Sequence, residues 1–163
     1  MQHCFISDVS VMDVAFALAE EALSAGEVPV GCSFVYNDMV IAKGRNEVNL
    51  RKSAIEHAEM VAIRRLELWC VANHLPLCDV LSASTLYVTV EPCIMCTAAL
   101  RFSLPAQPKN LHTISSKVPP LSCDSGIEEA RAVGLLKRFY QQENPNAPPD
   151  VRKTKHVATS PHL

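Results

Sequence analysis

The chain has 163 residues, 48% of them hydrophobic and 20% charged, with only 5 glycines. That is an ordinary globular composition with room for one domain, long enough to bury about two-thirds of the unfolded chain's surface, so no disulfide or metal is needed merely to supply a core. A formal net charge of −2 excludes a chain that is basic throughout, and any affinity for nucleic acid must come from a local patch or a partner.

Taken in chain order, residues 10–25 place Val11, Val14, Ala15, Leu18, Ala19, Ala22 and Leu23 at helical spacing, with Ser10-x-x-Asp13 resembling a capping box and Gly26 as a C-terminal stop. Val28–Tyr36 and Met39–Lys43 are two β-rich runs separated by Asn37-Asp38, which predicts an antiparallel hairpin. After the polar stretch Gly44–Ser53, helical spacing returns from Ile55 to Trp69, with Glu56-His57-Ala58-Glu59 in the first turn. Thr85–Val90 reads as a strand feeding, through Pro92, directly into a buried helix over Cys93–Leu100, an order that favours a layered α/β fold. From Phe102 to Ser125 the pattern dissolves, leaving one marginal strand candidate at His112–Val118. Glu128–Gln142 is again amphipathic, and Phe139 and Tyr140 read as core. A Pro-rich polar tail follows.

Seven cysteines is an odd count, and several, such as Cys32 in Val-Gly-Cys-Ser-Phe, sit in apolar surroundings. Reduced thiols in the cytoplasm or nucleus are the expectation. The N-terminal stretch has no basic run, Asp8 and Asp13 interrupt its apolar residues, and no apolar run reaches the roughly 18 residues of a membrane span. No membrane partner is expected.

The chemistry concentrates in His57-Ala58-Glu59 at one helix start and Pro92-Cys93-Ile94-Met95-Cys96 at another. One imidazole and two thiolates make three good zinc ligands. A helix brings Cys93 and Cys96 to one face, and the positive end of its dipole favours the metal-binding thiolate. His57 and Glu59, two residues apart, are rotated by about 200° in a regular helix, so the metal should lie beyond the helix start with Glu59 left unliganded. Three protein ligands with an open fourth position mark a catalytic site. A free carboxylate beside activated water is suited to hydrolytic attack on an amidine-type carbon. A structural zinc would need a fourth ligand from Cys4, Cys32, Cys70, Cys78, Cys123 or His74, and no second Cys-x-x-Cys supports one.

His-x-Glu followed by Pro-Cys-x-x-Cys resembles the signature of the zinc-dependent cytidine and deoxycytidylate deaminase superfamily. Within it the chain is most similar to catalytic subunits of eukaryotic tRNA-specific wobble adenosine deaminases. That closer likeness rests on Gly26-Glu27-Val28-Pro29-Val30-Gly31, Gly44-Arg45-Asn46, Tyr87–Cys96 and Phe139–Pro148, and covers about residues 10–101 and 127–153. The resemblance implies a cytidine-deaminase-like three-layer α/β/α sandwich with a mixed sheet, altered or incomplete after residue 101. It implies Zn2+ held by His57, Cys93 and Cys96, Glu59 as proton shuttle, and Asn46 in contact with the flipped base, although Asn46 on composition alone reads as a turn residue. It also implies hydrolytic conversion of adenosine to inosine in tRNA, with a related non-catalytic subunit as heterodimer partner. The alternatives are a cytidine or free-base deaminase, or a catalytically defective isoform that binds the partner.

The family continues after its Pro-Cys-x-x-Cys helix with a strand and a Gly-rich loop, and Phe102–Ser125 carries neither. The organisation expected is therefore a deaminase domain at 1–145, atypical at 102–125, and a partly basic tail at 146–163. In that tail Arg152, Lys153 and Lys155 read either as solvated chain or, by the resemblance, as contacts to RNA phosphates.

Overall fold

A computed structural model describes residues 8–102 and 121–142. Helix α1 spans Asp8–Ser24 and buries Val11, Met12, Ala15, Phe16, Ala19, Ala22 and Leu23. It begins before Ser10, which lies exposed within the helix, so Ser10-x-x-Asp13 is not a capping box. Its end is as expected. Gly26 takes a φ of +73°, Glu27 N–H donates to Ala22 O at 2.9 Å, and Gly26 N–H donates to Leu23 O at 3.1 Å. These paired bonds are a Schellman motif.

Strands β1 (Gly31–Tyr36) and β2 (Met39–Arg45) form the expected hairpin. Asn37 and Asp38 both adopt positive φ, 48° and 59°, as a type I′ turn requires. Strand β3 (Thr85–Val88) pairs antiparallel with β1 on its other edge, giving the order β2-β1-β3. Both pairings among the described residues are antiparallel, and the strand candidate at 112–118 lies outside the described residues. The central strand is buried on both sides, with Cys32, Ser33 and Phe34 inaccessible.

Helices cover both faces. On one, α1 packs with α6 (Glu129–Gln141) through Met12, Phe16, Leu23 and Leu135, with Tyr87 of β3 and Phe139 against them. Phe139 is thus core, as expected, whereas Tyr140 is 67% exposed, because one residue further along a helix is rotated by about 100°, away from the buried stripe. On the other face lie α3 (Ala58–Ala72), α4 (Leu77–Ser82) and α5 (Ile94–Phe102), whose Ala58, Ala62, Leu66, Val80 and Leu100 close over Cys32, Phe34 and Ala42. The result is the expected three-layer α/β/α sandwich. Two short helices have no counterpart among the predicted elements: α4 and α2 (Val48–Arg51), the latter within the polar stretch Gly44–Ser53. Helix α5 is only half buried, since Ile94 stands exposed while Cys96 and Leu100 face the core.

The layers meet without room to spare. A Cβ on Gly31 would lie 2.2 Å from Ala15 O, and one on Gly44 would lie 2.1 Å from Ala58 O. Helices α1 and α3 therefore rest on the sheet backbone from opposite sides. Among the described residues no helix is long and apolar enough to cross a membrane. The expected boundary at 145/146 lies outside the described residues.

Candidate active site

Two helix starts build the site. Helix α3 begins at Ala58, three residues later than the spacing predicts, and this makes His57 the N-cap, with extended φ −67° and ψ 158°. Its imidazole therefore precedes the helix, while Glu59 sits buried in the first turn. The offset expected from the two-residue separation is resolved in this way: ligand outside the helix, carboxylate within it. Cys93 immediately precedes α5 and Cys96 occupies its first turn. Thr97 N–H donates to Cys93 O at 2.8 Å and Thr97 Oγ1 donates to Pro92 O at 3.2 Å, closing that turn.

The geometry brings His57, Cys93 and Cys96 together. His57 Nδ1 lies 3.5 Å from Cys93 Sγ and 3.6 Å from Cys96 Sγ, and all three ligand atoms fall within 4.8 Å of one another. For zinc with Zn–S near 2.3 Å and Zn–N near 2.05 Å, the N–S edge of a tetrahedron is about 3.6 Å. The donor set and its spacing fit that ion. Cys96 is buried, His57 half-buried and Cys93 exposed, so the cluster opens to one side, where an open fourth position would lie. Among the described residues this is the only such group of three or more. Cys32, Cys70, Cys78, Cys123 and His74 supply no fourth ligand; Cys32 and Cys70 are buried free thiols and Cys123 an exposed one. Cys4 lies outside the described residues.

Glu59 shapes the local field. Burial, reinforced by the Glu59 charge and by hydrogen bonds with Cys93 and Glu59, raises the Cys96 thiol far above the ordinary range. Cys32, beneath α3, is raised as strongly by burial and then by Glu59. Both thiols are thereby held in the neutral form in the absence of a cation, and a divalent cation at the cluster would offset the Glu59 charge and favour the thiolate.

Asn46 follows β2 and is buried. Its N–H donates to Val30 O at 3.0 Å and its Nδ2 donates to Glu27 Oε2 at 3.1 Å. The next residue, Glu47, donates its N–H to Glu56 O at 2.9 Å, so the backbone beside Asn46 is tied to the backbone beside His57. Sequence reasoning missed what holds this loop. Glu47 and Glu56 are buried, and Arg51, Arg64 and Arg65 pair with them: Arg51 lies 3.6 Å from Glu56, Arg65 lies 3.3 Å from Glu47, and Arg64 bonds Glu56 through both guanidinium ends. Burial raises the Glu47 carboxyl, but the hydrogen bond and charge of Arg51, with Arg65 and Arg45, outweigh it and hold the group below its ordinary value. The available signal was four arginines at 45, 51, 64 and 65 flanking Glu47 and Glu56. Arg152, Lys153 and Lys155 lie outside the described residues.

The sequence profile of the cytidine and deoxycytidylate deaminase zinc-binding region matches residues 6–106. The chain belongs to that family. It is 48% identical over 160 residues to the tRNA-specific adenosine deaminase 2 of Danio rerio, covering 87% of this chain and 75% of the relative. A solved structure from studies of A-to-I editing by tRNA:A34 deaminases at the wobble position superposes with a TM-score of 0.50 at 34% identity, covering 58% of this chain and 68% of that one. A guanine deaminase from Bacillus subtilis superposes with a TM-score of 0.52 at 30% identity, covering 60% and 59%. Zinc is the metal of this deaminase family, and the only three-ligand cluster among the described residues is the one at His57, Cys93 and Cys96.

Proposed function

We propose that this deaminase hydrolyses adenosine to inosine at the wobble position of tRNA, with His57, Cys93 and Cys96 as zinc ligands and Glu59 as the proton-transfer group. The observation that carries the chemistry is the juxtaposition of a three-residue cluster with a buried carboxylate, Glu59, in the helical turn that follows His57. What favours tRNA adenosine over a free base is the 48% identity across 87% of the chain to a tRNA-specific adenosine deaminase.

Zinc at this cluster supplies Lewis-acid activation of water near neutral pH. The protein's own part follows from position. His57 and the two sulfurs would hold the ion at the starts of α3 and α5, whose dipole ends favour thiolate ligands. Glu59, buried and excluded from bulk water, would take one proton from the attacking water and deliver it to N1, then carry the second proton, from the newly added hydroxyl, to the amine that leaves as ammonia. Asn46 hydrogen-bonds the extruded base at the mouth. The related non-catalytic subunit is the heterodimer partner in this reading, and Arg152, Lys153 and Lys155 contact RNA phosphates.

The test is inosine formation at the wobble position by full-length chain co-purified with the related subunit, comparing wild type with Glu59→Gln. The variant should keep its zinc and lose about 10² to 10⁴ in turnover. Loss of zinc would make Glu59 a ligand, and unchanged turnover would move the proton chemistry elsewhere. Deamination of a free base or cytidine instead of tRNA adenosine would select the rival substrate class.

A further inference from the structure

Glu27 is only 1% exposed, yet among the described residues its hydrogen bonds are not to the proton-transfer or ligand set. It sits just past the α1 stop, and its carboxylate is spent on one stretch of chain. Oε1 accepts from Leu50 N–H at 2.7 Å, and Oε2 accepts from Asn49 N–H at 3.1 Å and from Asn46 Nδ2 at 3.1 Å. Asn49 Nδ2 adds a bond to Gly26 O at 3.0 Å. A buried carboxylate costs several kcal/mol unless its oxygens are satisfied, and here all its bonds go to residues 46–50.

A carboxylate accepts and never donates. The planar Asn46 carboxamide can therefore meet Glu27 only through its NH2 end, which turns its carbonyl end away from Glu27. The orientation of Asn46 is thus set by a chemical constraint and not by packing alone. We propose that Glu27 is a positioning residue: it fixes the carboxamide orientation of Asn46 and the backbone course of residues 46–50, and so determines which hydrogen-bonding atom Asn46 offers to the substrate base. This rests on the reading of Asn46 as the base contact.

Glu27→Gln is isosteric, but it replaces one of two acceptor oxygens by an NH2 that faces donors. Either Leu50 N–H, or Asn46 and Asn49 together, then lose their acceptor. With the partnered full chain and an anticodon-arm RNA carrying the target adenosine, Glu27→Gln should lower kcat by about 10- to 100-fold, the scale of a small misplacement of a reacting group. Zinc content and equilibrium affinity for the RNA should change by less than about twofold, since ligands and phosphate contacts are untouched. In the Asn46→Ala background the same substitution should add little further loss, because the residue it acts through is gone. A full additional loss in that background, or no effect of Glu27→Gln alone, overturns the inference. No effect of Asn46→Ala on its own would instead overturn the reading of Asn46, so the two failures are distinguishable. If Glu27→Gln does not fold, hydrogen exchange of the Asn46 side-chain amide in the wild type, assigned by its disappearance in Asn46→Ala, carries the test. One Nδ2 proton protected from exchange supports the bond to Glu27, and two freely exchanging protons refute it.

Discussion

Gly44→Ala is the sharpest perturbation of the site that touches none of its chemical groups. The new methyl would lie 2.1 Å from Ala58 O and 2.7 Å from Ala62 N, and both atoms are backbone, so no side chain can swing aside. Ordinary contact begins at 3.4 Å, so the start of α3 must retreat by about 1.3 Å (3.4 − 2.1) or β2 must bend. Overpacking of this kind costs about 1–3 kcal/mol. At about 2–4 °C per kcal/mol for a chain of this length, Tm should fall by about 2–12 °C. Function should suffer more than stability, because Ala58 lies between His57 and Glu59, and a 1 Å misplacement of catalytic groups can cost about 10²-fold. Thermal unfolding, zinc per protomer and single-turnover inosine formation would be measured in parallel. Gly134→Ala in α6 is the control, since nothing lies within 4 Å of its added Cβ; it should be neutral or gain up to about 1 kcal/mol from helix propensity. A Gly44→Ala protein with wild-type Tm, zinc content and turnover would refute the claim that α3 rests on the β2 backbone.

Cys93→Ser should bind less than one zinc per folded protomer by metal analysis, because a three-ligand site loses a thiolate and its affinity is coupled to folding; full occupancy would remove Cys93 from the ligand set. Glu47 has a folded-state value lowered from 4.5, so its contribution to stability is present above that pH and fades as pH falls through the lowered value. Glu47→Gln should accordingly be less stable than wild type at pH 7, with the gap closing on acidification below pH 4.5; a pH-independent gap would contradict the assignment. Truncation after Asp150 removes Arg152, Lys153 and Lys155, and should weaken tRNA binding by the partnered enzyme and make the plot of log K against log salt shallower by roughly 0.7 to 0.9 per lost phosphate contact. Unchanged affinity and slope would leave the tail as solvated chain.

The ligand set was legible because each residue carries its own chemistry and sits at a boundary that spacing locates. His57 and Cys93 both fall just before a helix, and the rotation argument set Glu59 apart from the three-residue cluster, inside the first turn of α3. The hairpin was legible for a similar reason: Asn37-Asp38 tolerates positive φ at both positions, and few other pairs do. Helices α2 and α4 were not legible, being 4 and 6 residues long, too short for the apolar period to repeat. The roles of Glu27, Glu47 and Glu56 were hidden because acidic residues are solvated by default. Only the fold reveals that the Glu27 carboxylate closes on a loop 19 to 23 residues away. Asn46 was ambiguous for the reason that it serves two needs: it ends a strand as a turn residue would, and its carboxamide is held in place by Glu27.

Every residue proposed for the chemistry lies before position 102, where the sequence is expected to become atypical of the family. The face that holds the site is closed by contacts among α3, α4, α5 and the three strands, down to Leu100. Helix α6, which resumes after the departure, packs instead on α1 across the sheet, through Leu135 and Phe139. The described contacts that support the ligand cluster all come from residues before 102, so a change confined to 102–125 is expected to act on RNA or partner contacts. Zinc content and inosine yield separate the two outcomes. A chain that carries one zinc per protomer but makes no inosine with its partner would be deficient in recognition. A chain that carries none would show that residues beyond 101 are needed to hold α5 against α3, contrary to the packing of Leu100 and Ala62 in one core.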